Sequence, residues 1–172
     1  MPREMFRNGW RSSVETYGYD WVQLNHYACR SAESFLVKRD RGRVNHVDRD
    51  QGLNYWFRMN HNAVTDTSIA RMIPAARAEF DRLTADPDLR ALHDRAVAAH
   101  RSRIADLMAQ DDYRAFYGEL TGDRMQALSK MLHVFGAAVF NAGPGVIPAD
   151  LHQKPLPEGY FFTVEHGGDA EH

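Results

Sequence analysis

The sequence predicts a mainly α-helical chain with a small β element at its N-terminal end. Three observations carry that expectation. Apolar residues recur at i, i+3 and i+4 through most of residues 53–140, the spacing that lines one face of a helix. Cap and stop residues bracket these stretches, with Ser31, Asp86 and Pro87 at starts and Gly42 and Gly143 at ends. One segment alternates instead. In "YDWVQLNHY" (Tyr19–Tyr27), Trp21, Gln23 and Asn25 fall on one face and Val22, Leu24 and His26 on the other, the period of a strand of about six residues.

The elements follow in order. After the alternating segment, Ser31 offers an N-cap and "AESFLVKRDR" supplies Phe35, Leu36 and Val37 before Gly42 stops a helix over residues 32–41. Asp48 or Asp50 can cap a second helix, "QGLNYWFRMN", with Leu53, Trp56 and Phe57 at i, i+3, i+4. Thr65 or Asp66 can open a third, which Pro74 must kink or restart. Asp86 caps the next and Pro87 takes its first position, with Leu89, Leu92, Ala96, Ile104 and Leu107 on one stripe. "DDYRAFYGEL" places Tyr113, Phe116, Tyr117 and Leu120 at helical spacing. "TGDRMQALSKMLHVFGAAVFN" reads as one further helix ending at Gly143, and "YFFTV" (160–164) as one edge strand in an otherwise extended, Pro- and Gly-rich tail. The organisation expected is 1–62, 63–142 (helical) and 143–172 (tail).

Composition narrows the function. The 172 residues carry a net charge of -2 and 44% hydrophobic residues, which excludes a general nucleic-acid binder by charge and fits a globular chain. Charge is uneven: residues 1–60 hold 10 Lys/Arg against 7 Asp/Glu, and residues 61–172 hold 11 against 16. A single cysteine, Cys29, permits no internal disulfide, so a reducing, cytoplasmic setting is expected. No apolar run nears the ~20 residues of a membrane span, and no secretory leader is evident. "MPREMFRNGW" reads as the middle of a domain, so the expectation is that Met1 is internal or begins a truncated chain.

Four basic residues, Lys38, Arg39, Arg41 and Arg43, lie within six positions, flanked by Arg30, Asn45 and His46. Phosphate groups call for such donors, Arg giving bidentate forks; the alternative is a solvated helix face. His26 ends the strand-like segment, where a metal-ligating imidazole or an ordinary capping residue can sit. His93, His100 and His133 fall at no ligand spacing and read as structural. Asp48-Arg49-Asp50 matches a D-x-D pattern but serves equally as a helix-start cap. Cys29 and Ser31 lack a base or orienting group at a recognisable spacing, which argues against acyl transfer. Tyr55, Trp56 and Phe57 can stack on a sugar, though helical spacing favours core packing for Trp56. No P-loop, G-x-G-x-x-G or zinc pattern occurs.

Asn25-His26-Tyr27, Arg30-Ser31, Glu33, Phe35, Lys38 and Arg41-Gly42, with "YWFRMNHNAVTDTSIARM" after them, resemble the C-terminal portion of bacterial family 2-like glycosyltransferases over about Phe6–Ile73. The resemblance implies an α/β nucleotide-sugar fold (GT-A) followed by a helical region. It also implies transfer of a sugar from a nucleoside diphosphate sugar to a glycan or other acceptor, with Mn²⁺ or Mg²⁺. It assigns His26 to the metal or diphosphate, and Lys38 and Arg41 to phosphate or acceptor; Arg39, Arg30 and Asn25 stand beside them as candidate phosphate-binding residues. The family's nucleotide-binding half has no counterpart in these residues, so the isolated chain is expected to be inactive. Two readings stand beside it: a non-catalytic helical module that binds a partner or self-associates through residues 88–140, and an anion-binding protein using the Arg30–Arg49 patch.

Overall fold

A computed structural model describes Gly18 and residues 24–42 and 51–165. Seven α-helices are present among the described residues. They are α1 (Ala32–Arg41), α2 (Leu53–Met59), α3 (Ile73–Leu83), α4 (Pro87–Met108), α5 (Asp111–Thr121), α6 (Asp123–Lys130) and α7 (Ala137–Ala142), with short 3₁₀ turns between several of them.

Local chemistry accounts for the boundaries. The Ser31 hydroxyl accepts the Ser34 N–H at 3.1 Å, and Gly42 closes α1 at φ 72, its N–H returning to the Arg39 carbonyl. Left-handed φ is cheap for Gly and costs other residues ~1–2 kcal/mol. Asp86 caps α4 through the N–H groups of Asp88 and Leu89, at 2.8 and 3.2 Å. Asp66 starts the turn before α3 by accepting from Ser68 N–H, and Pro74 sits in the first turn of α3, where its missing N–H costs nothing. Gly52, with no side-chain cap, begins α2; Asp48 and Asp50 lie outside the described residues.

The mainly helical expectation holds. The small β element does not appear in its described half: Leu24–Tyr27 is in no strand, and residues 19–23 lie outside the description. The described residues contain no sheet and therefore no α/β domain of the kind the resemblance implies. A lone strand has nothing to satisfy its edges. The expected edge strand at 160–164 reduces to one parallel bridge, Phe135 with Phe162. The single helix expected over 121–141 is broken into α6, a turn at Leu132–Val134 and α7. The break is tertiary. Gly136 N–H donates to the Phe162 carbonyl at 2.9 Å, and a Cβ at Gly136 would lie 2.7 Å from Thr163 Oγ1.

One hydrophobic cluster draws on all three sequence segments. Phe35 of α1 packs on Tyr55, Trp56 and Phe116 with ring centroids at 6.0, 5.0 and 6.4 Å. Phe57 packs on Phe135 and Phe140. Leu36, Leu107, Leu120, Leu128, Val139 and Ile147 complete the buried set. The described part of the tail joins it through partly buried Leu151, Leu156 and Tyr160.

Residues 63–100 stand apart. Apart from Thr84 and half-covered Val97, every residue there is exposed, including Ile69, Ile73, Phe80, Leu83, Leu89 and Leu92. α3 touches α4 near their turn, where Phe80 meets His93 edge-on at 5.1 Å and Arg90 holds Thr84. The stripe predicted on α4 is therefore split: Leu107 reaches the core, while Leu89 and Leu92 do not.

Candidate functional site

α1 lies across α4 and α5 with Phe35 and Leu36 turned into the core. Its outer side, the 27–30 loop and the middle of α4 enclose a cleft of about 390 Å³. Tyr27, Arg30, Ser34, Lys38, Arg41 and His100 supply its polar and aromatic lining. That volume suits a small ligand.

Helical spacing accounts for the α1 contribution. Ser34, Lys38 and Arg41 follow at i, i+4 and i+7, so they share one side of the helix. Lys38 is partly buried. Its ammonium donates to the Ala28 carbonyl at 2.8 Å and to the Tyr55 hydroxyl at 3.0 Å, and lies 4.5 Å from the Tyr55 ring centre. Lys38 thus ties the 27–30 loop to α1 and α2. Arg30 and Arg41 are exposed, and neither pairs with a carboxylate among the described residues. No acidic side chain is among the described residues that line the cleft. The nearest acids on α1 are engaged elsewhere. Asp40 forms a bidentate pair with Arg103 at 2.7 and 2.9 Å, and Glu33 accepts from the Tyr117 hydroxyl at 2.7 Å. The described lining therefore carries net positive charge from Arg30, Lys38 and Arg41.

The other predicted residues fall outside this group. Arg39 turns to α5, its guanidinium 4.0 Å from the centre of the Phe116 ring. His26 is exposed and Asn25 partly buried, and neither lines the cleft. The His26 carbonyl accepts the Ala28 N–H at 3.1 Å, fixing the turn that carries Arg30. Among the described residues, no group of three or more His, Cys, Asp or Glu side chains is placed to hold a metal ion. Arg43, Asn45 and His46 lie outside the described residues. Trp56 and Phe57 are buried in the core and Tyr55 is stacked on Phe35, so they form no open sugar platform. The free aromatic face belongs to Tyr27, which is 58% exposed.

Cys29 is half-buried beside the cleft, and burial pushes its thiol up to about 11 against the opposing pull of the Lys38 charge. A thiol held protonated is a poor nucleophile, in keeping with the sequence argument against acyl transfer. His100, like Tyr27 and Ser34, is a lining residue that sequence reasoning missed. Its Nε2 lies 3.2 Å from the Ser34 hydroxyl, 66 positions away in the chain. No spacing rule links the two; only the crossing of α1 over α4 does. Together they add a hydrogen-bonding pair to the cleft lining.

No protein-family model, curated protein or solved structure matches the chain.

Proposed function

We propose that the cleft binds the phosphate groups of an anionic ligand, and that the chain serves as the phosphate-holding wall of a glycosyltransferase. Its ligand would be a nucleoside diphosphate sugar, with a glycan or other acceptor. The observation that carries the anion site is the pair Arg30 and Arg41. These guanidinium groups are free of carboxylates among the described residues and line one cleft with Lys38. The resemblance of the 25–42 segment supplies the sugar-nucleotide class. In such a transfer, negative charge grows on the departing diphosphate, and fixed cations stabilise it where it develops. Arg30 and Arg41 would take phosphate oxygens. Lys38 would hold the loop and lend its charge. A divalent ion would arrive mostly on the ligand's own phosphates, with His26 as the side chain the resemblance nominates.

The test is calorimetric titration of the chain with pyrophosphate, with and without Mn²⁺, at two salt concentrations. Binding that falls about tenfold in Arg30→Ala or Arg41→Ala, and weakens with salt, supports the site. Unchanged affinity in both variants removes it. A requirement for Mn²⁺ separates the transferase reading from simple anion binding.

The exposed 63–100 hairpin favours a second role, self-association. The open stripe of α4 runs Leu89, Leu92, Ala96, Ala99, large then small. An antiparallel pair about a two-fold axis sets Leu89 against Ala99 and Leu92 against Ala96 of a second copy, so bulk meets space at both ends. Ile73, Phe80 and Leu83 on the adjoining helix, and Ile69 in the turn before it, add further exposed apolar residues. Light scattering of the full chain across concentrations should give a dimer that Leu92→Glu converts to monomer. A monomer at every concentration refutes the pairing.

A further inference from the structure

We infer that Tyr27 is the stacking face for the ring attached to the ligand's phosphates, an inference that rests on the anion site proposed above. Among the described lining residues, Tyr27 is the open Phe/Tyr side chain: Phe35 is buried in the core. The residue is 58% exposed although it lines the cleft, so it forms part of the mouth. Its hydroxyl makes no hydrogen bond among the described residues. A large aromatic held in water without a polar partner gains by covering its face with another ring.

The placement of Tyr27 is fixed by its neighbours. Ala28, next in the chain, is buried, receives the Lys38 ammonium on its carbonyl and donates its N–H to the His26 carbonyl. The backbone beside Tyr27 is therefore held to α1 by the Lys38 bond and the buried Ala28 and shaped by its own turn, so the ring is presented by an anchored turn rather than a free end. Arg30 follows three residues later on the same turn. One loop thus carries both a phosphate donor and an open aromatic face, separated by a short reach. A cleft of about 390 Å³ accommodates the phosphates and leaves an attached ring at the mouth. The chemistry shared by the candidate ligands is a phosphate ester of a cyclic group, either a nucleobase-bearing nucleoside or a sugar. A nucleobase stacks by its π-face, and a sugar by the C–H groups of its apolar side. Neither needs a hydrogen bond from Tyr27, so the face is selective for a ring and tolerant of which base it is.

The experiment compares pyrophosphate, a nucleoside diphosphate and a sugar 1-phosphate on the full chain and on Tyr27→Ala and Tyr27→Phe. The expected result is that one ring-bearing ligand binds roughly fivefold to tenfold tighter than its ring-free phosphate counterpart. Tyr27→Ala should abolish that advantage and leave pyrophosphate affinity unchanged. Tyr27→Phe should keep it, since the ring and not the hydroxyl does the stacking. Which ligand gains identifies the ring as base or sugar. Equal affinity for ring-bearing and ring-free ligands overturns the stacking face while leaving the anion site standing. So does a Tyr27→Ala variant that weakens every ligand alike, because that marks a displaced loop. Failure of the native chain to bind pyrophosphate overturns the anion site itself.

Discussion

Replacing Lys38 by Met separates two roles that the sequence cannot tell apart. Methionine keeps the unbranched apolar stem and removes the ammonium. The variant loses the 2.8 Å bond to the Ala28 carbonyl, the 3.0 Å bond to the Tyr55 hydroxyl and the 4.5 Å contact with the Tyr55 ring. A hydrogen bond from a charged donor contributes ~1.5–3 kcal/mol when well shielded. Lys38 is only partly buried, so the two bonds and the ring contact together should cost about 2 kcal/mol. For a chain of this size, each kcal/mol moves the melting temperature by about 2–4 °C, giving a fall of roughly 4–8 °C. Thermal unfolding followed by circular dichroism reads this directly. Tyr55→Phe removes one of the bonds and keeps the ring, so it should lose about half as much. The double variant should fall short of the sum, because the two side chains share a bond. A Lys38→Met variant that melts within 1–2 °C of the native chain yet binds pyrophosphate weakly would refute the pin and leave Lys38 a ligand-binding group alone.

Other outcomes follow from the same contacts. Glu33 accepts from the Tyr117 hydroxyl, and that bond leads the causes that hold its carboxyl below its ordinary value of 4.5. A lowered folded value means stability that is present above 4.5 and lost as pH falls through the folded value. Melting temperatures taken downward from pH 6 should therefore drop less in Glu33→Gln than in the native chain, and parallel curves would deny the bond a role. Gly143 ends α7 at φ 89, and a Cβ there would lie 2.0 Å from Asn54 Oδ1. Gly143→Ala should lose at least the ~1–2 kcal/mol of a left-handed residue, and restoring space with Asn54→Gly should recover only the steric share. Cys29, pushed up to about 11 by burial, should react with iodoacetamide at pH 8 far more slowly than a free thiol, and fast labelling of the folded chain would contradict its burial.

Much of the helical skeleton was legible. Ser31 and Gly42 bracket α1 as read, and Asp86 with Pro87 begins α4 as read. Three of the cleft's cations, Arg30, Lys38 and Arg41, were legible as phosphate-type residues because a basic run shows in the sequence whatever the fold. Which of them point together was not. Arg39 sits between Lys38 and Arg41 in a chain of neighbours, yet the helix turns it onto Phe116. The alternating segment also misled. Period 2 describes a strand only where another strand accepts its hydrogen bonds, and Leu24–Tyr27 meets none among the described residues.

By itself the sequence determined where α1 and α4 start and where α1 and α7 stop, because a cap acts on N–H groups two or three residues away and a stop needs only a glycine's free φ. It also determined that α1 would carry a dense row of cations. The tertiary structure alone decided that His100 faces Ser34, that Asp40 is neutralised by Arg103 63 positions away, and that the 132–136 segment leaves the helix to meet Phe162. It also decided that Leu89 and Leu92 stay uncovered while Leu107, on the same stripe, is buried. Caps and periods are set within one or two turns of chain. Which apolar face finds a partner, and which charges share a cleft, depends on the crossing of helices remote in sequence, and no local pattern encodes that crossing.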